Sequence, residues 1–302
     1  MQILVTGGTG FIGDALLPAL RTAGHELIVL SRQTLSNTTD TTYVRALTQL
    51  SAETQVDAVI NLAGASLAGK RWNTRYKNEI VDSRMNITEE LILWIESREQ
   101  RPAVLLSASA IGYYGHHGDE RLDEQGSRVP GFSQNLCEEW ESVAEKAAKL
   151  GVRTCLLRLG VVLDSDGGAF QQMAPPFKLG VGNWIGSGRQ WLSWIHRTDV
   201  VAAMLFLLAD DALEGAYNLT APEPVTSKGF SEAMGQVCKL WISLPVPAIV
   251  MRLMLGEMAQ ELLISGQRVV PDRLQAAGFE FMYPDLDQAL ANTSKGNLKA
   301  VS

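Results

Sequence analysis

The sequence predicts an α/β fold, a doubly wound parallel sheet with helices on both faces and a smaller, discontinuous region at its carboxyl side. Three observations predict it. Short apolar runs alternate with longer stretches of helical spacing. A glycine-rich turn joins the first apolar run to the first helical stretch. After Val162 the character changes, and glycines, prolines and tryptophans accumulate.

Gln2 to Val5 reads as a strand buried on both faces, because it is continuously apolar apart from its first residue. Thr6-Gly7-Gly8-Thr9-Gly10-Phe11-Ile12-Gly13 follows. Ala15, Leu16, Ala19 and Leu20 then recur at helical spacing, with Gly24 placed to end the helix and Pro18 lying inside it against the trend. Glu26 to Leu30 is the next strand and completes a βαβ unit. Ala58 to Asn61, Ala103 to Ser107 and Thr154 to Leu159 are further strands, and Asn73 to Ser97 and Ser133 to Leu150 are helices between them. Trp191 to His196 is strand-like and Asp199 to Ala209 helical. Residues 1–165 therefore form a Rossmann-type nucleotide-binding domain to which 191–221 return, while 166–190 and 222–302 form the smaller region. Met251, Met254, Met258 and Leu262 share one helical face, expected in the core.

Composition narrows the function. The 302 residues carry 26 Lys+Arg against 33 Asp+Glu, a net charge of −7, and a hydrophobic fraction of 46%. That balance argues for a globular chain and against nonspecific nucleic-acid binding, which needs a cationic face. Lys70 and Arg71 with Arg75 and Lys77, or Arg32 alone, are the candidates for a local basic patch. Cys137, Cys155 and Cys238 are odd in number and dispersed, so neither a disulfide framework nor a zinc site is expected, and free thiols suit a cytoplasmic location. The N-terminus lacks the basic region of a signal peptide, and the apolar run from Val200 to Ala209 is too short to span a bilayer, so no membrane partner is expected.

Gly7, Gly10 and Gly13 make a G-x-x-G-x-x-G turn, with Thr9, Phe11 and Ile12 between them. Such a turn lets backbone approach a pyrophosphate and aims free N–H groups at it from a helix N-terminus. An NAD site carries an acidic residue at the end of the next strand. Here Leu30-Ser31-Arg32 stands there, and a hydroxyl with a guanidinium suits the 2′-phosphate of NADP.

With those residues the chain resembles the extended branch of the short-chain dehydrogenase/reductase (SDR) superfamily, and more closely its atypical YfcH-like "epimerase family" group. Asn61-Leu62-Ala63-Gly64, Arg71-Trp72-Asn73, Ser83-Arg84, Gly112-Tyr113-Tyr114-Gly115, Gly186-Ser187-Gly188 and Trp194-Ile195-His196 carry the likeness. The tail Gly266-Gln267-Arg268-Val269-Val270-Pro271, followed by Ala277-Gly278-Phe279, is similar to the group's own C-terminal domain. The resemblance implies further NADP contacts at Leu62, Ala63, Glu79, Arg84 and Val162.

Most short-chain dehydrogenases pair a Tyr with a Lys four residues on, one helical turn away, so that the ammonium favours the phenolate. No Tyr here has that Lys; Phe132 and Leu136 occupy the places. The resemblance implies a serine at the end of the fifth strand, which is Ser109, and Tyr113 or Tyr114 could supply a proton from the loop beyond it. His196 and Arg268 are candidates for substrate contact. His116-His117 with Asp119 and Glu120 lies in a loop without metal-site spacing, so no metal is expected. The leading expectation is an NADP-dependent oxidoreductase or epimerase acting on a small polar, sugar-nucleotide-like substrate. The competing one is an NADPH-binding regulator or scaffold linked to cell division, as the resemblance implies. A homo-oligomer is compatible with either.

Overall fold

The computed structural model describes residues 1–295. The main sheet contains β1 (Gln2–Thr6), β2 (Glu26–Leu30), β3 (Thr41–Val44), β4 (Ala58–Asn61), β5 (Val104–Ala110), β6 (Arg153–Leu159) and β7 (Gly215–Leu219). All seven are parallel, in the order 3-2-1-4-5-6-7. The longer helices are α1 (Phe11–Thr22), α2 (Thr74–Glu96), α3 (Phe132–Ala144), α4 (Gly168–Lys178), α5 (Arg197–Ala209), α6 (Ser227–Val237), α7 (Ala248–Leu255) and α8 (Leu286–Lys295).

Strand residues serve two cores because alternate side chains leave opposite faces. Ile3, Val5 and Ile60 pack with Leu16 and Leu20 of α1 and Met204 and Leu207 of α5. Leu4, Ile28 and Val59 pack on the other face with Leu91, Ile92 and Ile95 of α2. This two-sided burial explains the unbroken apolar runs. Winding outward from β1 in both directions opens a crevice at the carboxyl ends of β1 and β4, the usual ligand position in such sheets.

Pro18 is exposed and α1 runs through it. Gly24 (φ +81°) follows the helix end, and the His25 N–H returns to the Leu20 carbonyl at 3.1 Å. Strands β3 and β7 have no counterpart among the expected elements; they are the two edges of the sheet, and β3 is short and rich in threonine. Strand β5 runs to Ala110 and so takes Ser109 into the sheet. Helix α3 stops at Ala144, and a separate turn covers Lys146–Lys149. The stretch from Trp191 to His196 splits at Ser193. Trp191–Leu192 pairs with Val225–Thr226, and Trp194–His196 pairs with Val161–Asp164.

A third core gathers Phe170, Phe177, Trp194, Phe230, Met234, Leu286 and Leu290. Asp199 ties the segment at Met282 and Tyr283 to α5. The fully buried carboxylate accepts the N–H groups of Met282 (2.7 Å) and Tyr283 (3.0 Å). The expected core face of methionines is corrected here. Met258 is buried, but Met254 is 62% exposed and α7 buries no residue. Among the described residues no helix is long and apolar enough to cross a membrane, and the three cysteines are free.

Candidate functional site

The glycine turn sits against the end of β4. Gly7 has φ +69°, and a Cβ on it would lie 2.6 Å from the Leu62 carbonyl carbon and 2.8 Å from the Ala63 nitrogen. A Cβ on Gly13 would lie 2.4 Å from the Gly7 carbonyl oxygen, so α1 packs onto the turn only because that residue is glycine. Gly10 caps α1 without a side-chain bond, leaving the first N–H groups available to an anion, and Thr9 and Gly10 are exposed there.

A buried polar chain holds β4 in register with the turn. Thr6 Oγ1 donates to Asn61 Oδ1 (2.6 Å) and accepts the Ala63 N–H (3.2 Å). Asn61 Nδ2 donates to Thr88 Oγ1 (2.9 Å), which also accepts Trp140 Nε1–H (3.0 Å). These positioning residues escape sequence reasoning, since the polar chain crosses four elements distant in sequence.

Ser31 is buried at the end of β2, and its Oγ accepts the Gln33 N–H at 3.2 Å. Arg32 beside it is exposed, and no acceptor or carboxylate meets its guanidinium among the described residues. Arg84 is buried on α2 against Gly64, with Nη1 donating to the Ile80 carbonyl (3.0 Å) and its guanidinium 5.1 Å from the Trp140 ring centre. Burial pushes its pKa below the ordinary arginine value. The structure thus brings Gly7, Leu62, Ala63 and, through Gly64, Arg84 to one place. Glu79 is exposed instead, 3.5 Å from Lys70. Phe11 lies half-buried between the Gly167–Gly168 turn and the Arg197 guanidinium, while Ile12 and Val162 pack against the first core.

The carboxyl ends of β5, β6 and β7 hold a second buried network. Arg158 forms a two-pronged ion pair with Glu141, Nε to Oε1 at 2.9 Å and Nη2 to Oε2 at 2.8 Å. Ser109 Oγ donates to the same Glu141 Oε1 at 2.6 Å. Arg158 Nη1 donates to the Tyr114 hydroxyl (3.0 Å), which donates to Asn218 Oδ1 (2.7 Å). Burial opposes the Arg158 charge, and Glu141 outweighs it, holding the guanidinium above its ordinary pKa. Burial pushes the Tyr114 hydroxyl up to about 12. Ser109 and Tyr114 are therefore enclosed, with their hydroxyl groups committed inside the protein. Tyr113 differs: its ring is half-buried 3.4 Å from the Arg158 guanidinium, and no protein partner meets its hydroxyl among the described residues. Phe132 and Leu136 are apolar neighbours in one cluster with Trp72 and Met258. Sequence reasoning missed Glu141. The available signal was an arginine inside an otherwise apolar strand, which calls for a buried counter-charge.

His196 caps α5, its Nδ1 accepting the Thr198 N–H (3.2 Å), and it stacks 4.1 Å from Tyr283; burial lowers its pKa. Arg268 lies 4.6 Å over the Trp191 ring, and its buried Nε has no hydrogen-bond partner among the described residues. His117 is held by Glu120 (2.9 Å) and the Tyr114 carbonyl (3.0 Å). Glu261, from the C-terminal segment, receives the Ser133 N–H (3.2 Å) at the start of α3 and lies 3.9 Å from His116. Its carboxyl is held down at about 2, by His116 first and Ser133 next, against the opposing effect of burial. A depressed carboxyl stabilises the fold above its unfolded pKa and loses that contribution as pH falls. Between about pH 4.5 and pH 2 the wild type is expected to lose stability more steeply than Glu261→Gln in denaturant titrations. Parallel curves would refute this.

Sheet order, switch-point crevice and glycine turn together define a Rossmann-like α/β protein. The chain belongs to the NAD dependent epimerase/dehydratase family, whose model matches residues 3–220. Residues 246–293 match a domain of unknown function, DUF1731. The two together are the arrangement that the SDR resemblance implies. The chain is 38% identical over 290 residues to the Epimerase family protein Mb2239 of Mycobacterium bovis, covering 95% of this chain and 96% of that one. The structure is similar to human epimerase family protein SDR39U1 (isoform 2) with NADPH, at TM-score 0.86 and 31% identity over 98% of this chain and 99% of that one. It is also similar to the nucleoside-diphosphate sugar epimerase of Corynebacterium glutamicum, at TM-score 0.79 and 27% identity, covering 97% of this chain and 58% of that one.

Proposed function

We propose that this protein binds NADP(H) and acts as an oxidoreductase or epimerase on a small substrate bearing a carbonyl or hydroxyl group. The observation that carries the cofactor choice is Arg32, a free guanidinium at the end of β2 where an NAD site needs a carboxylate. The glycine turn fits a dinucleotide, because side chains at Gly7 and Gly13 would collide with the end of β4 and with the turn's own backbone and so disrupt the cradle. The NADPH-bound human relative supports the same choice. Gly7, Gly10, Leu62 and Ala63 would hold the pyrophosphate and adenosine side, Ser31 and Arg32 the 2′-phosphate, and Arg84 the inner part. When bound, the nicotinamide supplies or takes up hydride.

Proton handling falls to Tyr113, since its hydroxyl is the uncommitted one of the three candidate hydroxyl groups. The Arg158 guanidinium lies 3.4 Å from the ring centre and supplies there the nearby positive charge that the missing Lys would otherwise provide. Ser109 and Tyr114 support that arrangement from behind. Arg32→Glu is expected to weaken NADPH binding at least about tenfold, the effect of losing one hydrogen bond to a charged group. Tyr113→Phe should preserve NADPH affinity and abolish substrate-dependent NADPH oxidation. Unchanged binding in Arg32→Glu removes the cofactor assignment. The second reading, an NADPH-binding regulator, is favoured by Phe132 and Leu136, which cannot move a proton. Tight NADPH binding with no turnover across a broad carbonyl screen would decide for it.

A further inference from the structure

A cavity of about 270 Å³ lies where three parts of the chain meet. Its walls include Lys70 and Arg71 from the loop after β4, Gln172 of α4, and Leu255, Met258 and Leu262 of the C-terminal segment. Leu255, Met258 and Leu262 also pack in the cluster that contains Phe132, Leu136 and Trp72, so the cavity adjoins the positions where other short-chain dehydrogenases carry their catalytic pair.

We infer that this cavity takes a small organic anion with an apolar body, a carboxylate carrying a short alkyl or aryl group, as the anchoring part of the carbonyl- or hydroxyl-bearing substrate of the proposed enzyme. The inference rests on the reading of the chain as an NADP(H)-dependent enzyme. Leucine and methionine make the floor, and such surface gains from apolar contact and loses from an unpaired polar group. The rim supplies the positive charge. Arg71 lies against the C-terminal wall, its Nε 3.5 Å from where a Cβ on Gly256 would be, and no carboxylate meets it among the described residues. Neighbouring carboxylates are directed elsewhere, Glu257 to Lys77 at 2.9 Å and Glu79 to Lys70 at 3.5 Å. Lys70 is 67% exposed, so its contact with Glu79 is weak and its charge remains available. The space lies at the small end of the roughly 300–1,000 Å³ range of ligand pockets. A nucleotide sugar exceeds that volume and would set two phosphates against leucine and methionine.

Isothermal titration of the full chain, with and without NADPH, tests the inference using octanoate, acetate, 1-octanol and UDP-glucose as probes. Octanoate is expected to bind at least about tenfold more tightly than acetate or 1-octanol, and Arg71→Gln to lose about tenfold for octanoate alone. Leu262→Gln should weaken octanoate while leaving NADPH affinity at the wild-type value, which also reports that the variant is folded. Equal binding of octanoate and 1-octanol overturns the anion site. Tighter, Arg71-dependent binding of UDP-glucose overturns the ligand class, and no octanoate binding by NADPH-competent protein overturns the pocket. Octanoate binding by a protein that does not bind NADPH would instead sink the proposed function and the pocket's role as its substrate site.

Discussion

Replacing Glu141 with alanine is expected to destabilise the protein by about 3–5 kcal/mol, the range for breaking a buried ion pair from one side. The variant leaves Arg158, 4% exposed, without its counter-charge, and Ser109 Oγ without an acceptor. Water cannot easily replace either partner, because Ser109 and Tyr114 are 1% and 0% exposed. Glu141→Gln retains the shape but turns an amide N–H₂ toward a guanidinium donor, so it should fall between alanine and wild type. The double variant Glu141→Leu/Arg158→Met removes both charges and should be more stable than Glu141→Ala, since the desolvation cost disappears with the charges. Denaturant unfolding of the set measures this. A loss below about 1 kcal/mol in Glu141→Ala, the level of an exposed pair, would show that solvent reaches the network.

Gly7→Ala is expected to lower NADPH affinity about a hundredfold or more and also to cost stability. The left-handed backbone at φ +69° costs a residue with a Cβ about 1–2 kcal/mol. The added carbon also meets Leu62 and Ala63 backbone at 2.6 to 2.8 Å, inside any tolerable contact. The end of β4 must move, and with it the surface against which the cofactor is proposed to lie. Gly24→Ala separates the two effects. Gly24 has φ +81° but nothing within 4 Å of its Cβ position. That variant should pay the backbone cost and bind NADPH normally. Equal stability losses with unchanged affinity in both variants would take Gly7 out of the site.

The elements that frame the candidate cofactor site were legible because their signals are local. Turn, helix start and strand end lie within one βαβ unit, and the missing Tyr/Lys pair is a statement about spacing on one helix. The buried polar network was not. Ser109 lies near the end of β5 and Tyr114 in the turn after it, yet their partners come from far away. Ser109 meets a residue 32 positions on and Tyr114 one 104 positions on. The methionine face failed for a related reason. A 3.6-residue period shows that one side of α7 is apolar, but burial depends on whether another element arrives to cover it.

Residue spacing alone therefore established five of the seven sheet strands, the glycine turn, the cation at the end of β2 and the absence of the usual acid–base pair. Period and turn chemistry act over a few residues and need no knowledge of the rest of the chain. Folding decided which hydroxyl groups are free, which carboxylate neutralises Arg158 and where the C-terminal segment closes a cavity over Arg71. Hydrogen bonds and ion pairs act at about 3 Å, and only the packing of distant elements brings such atoms that close.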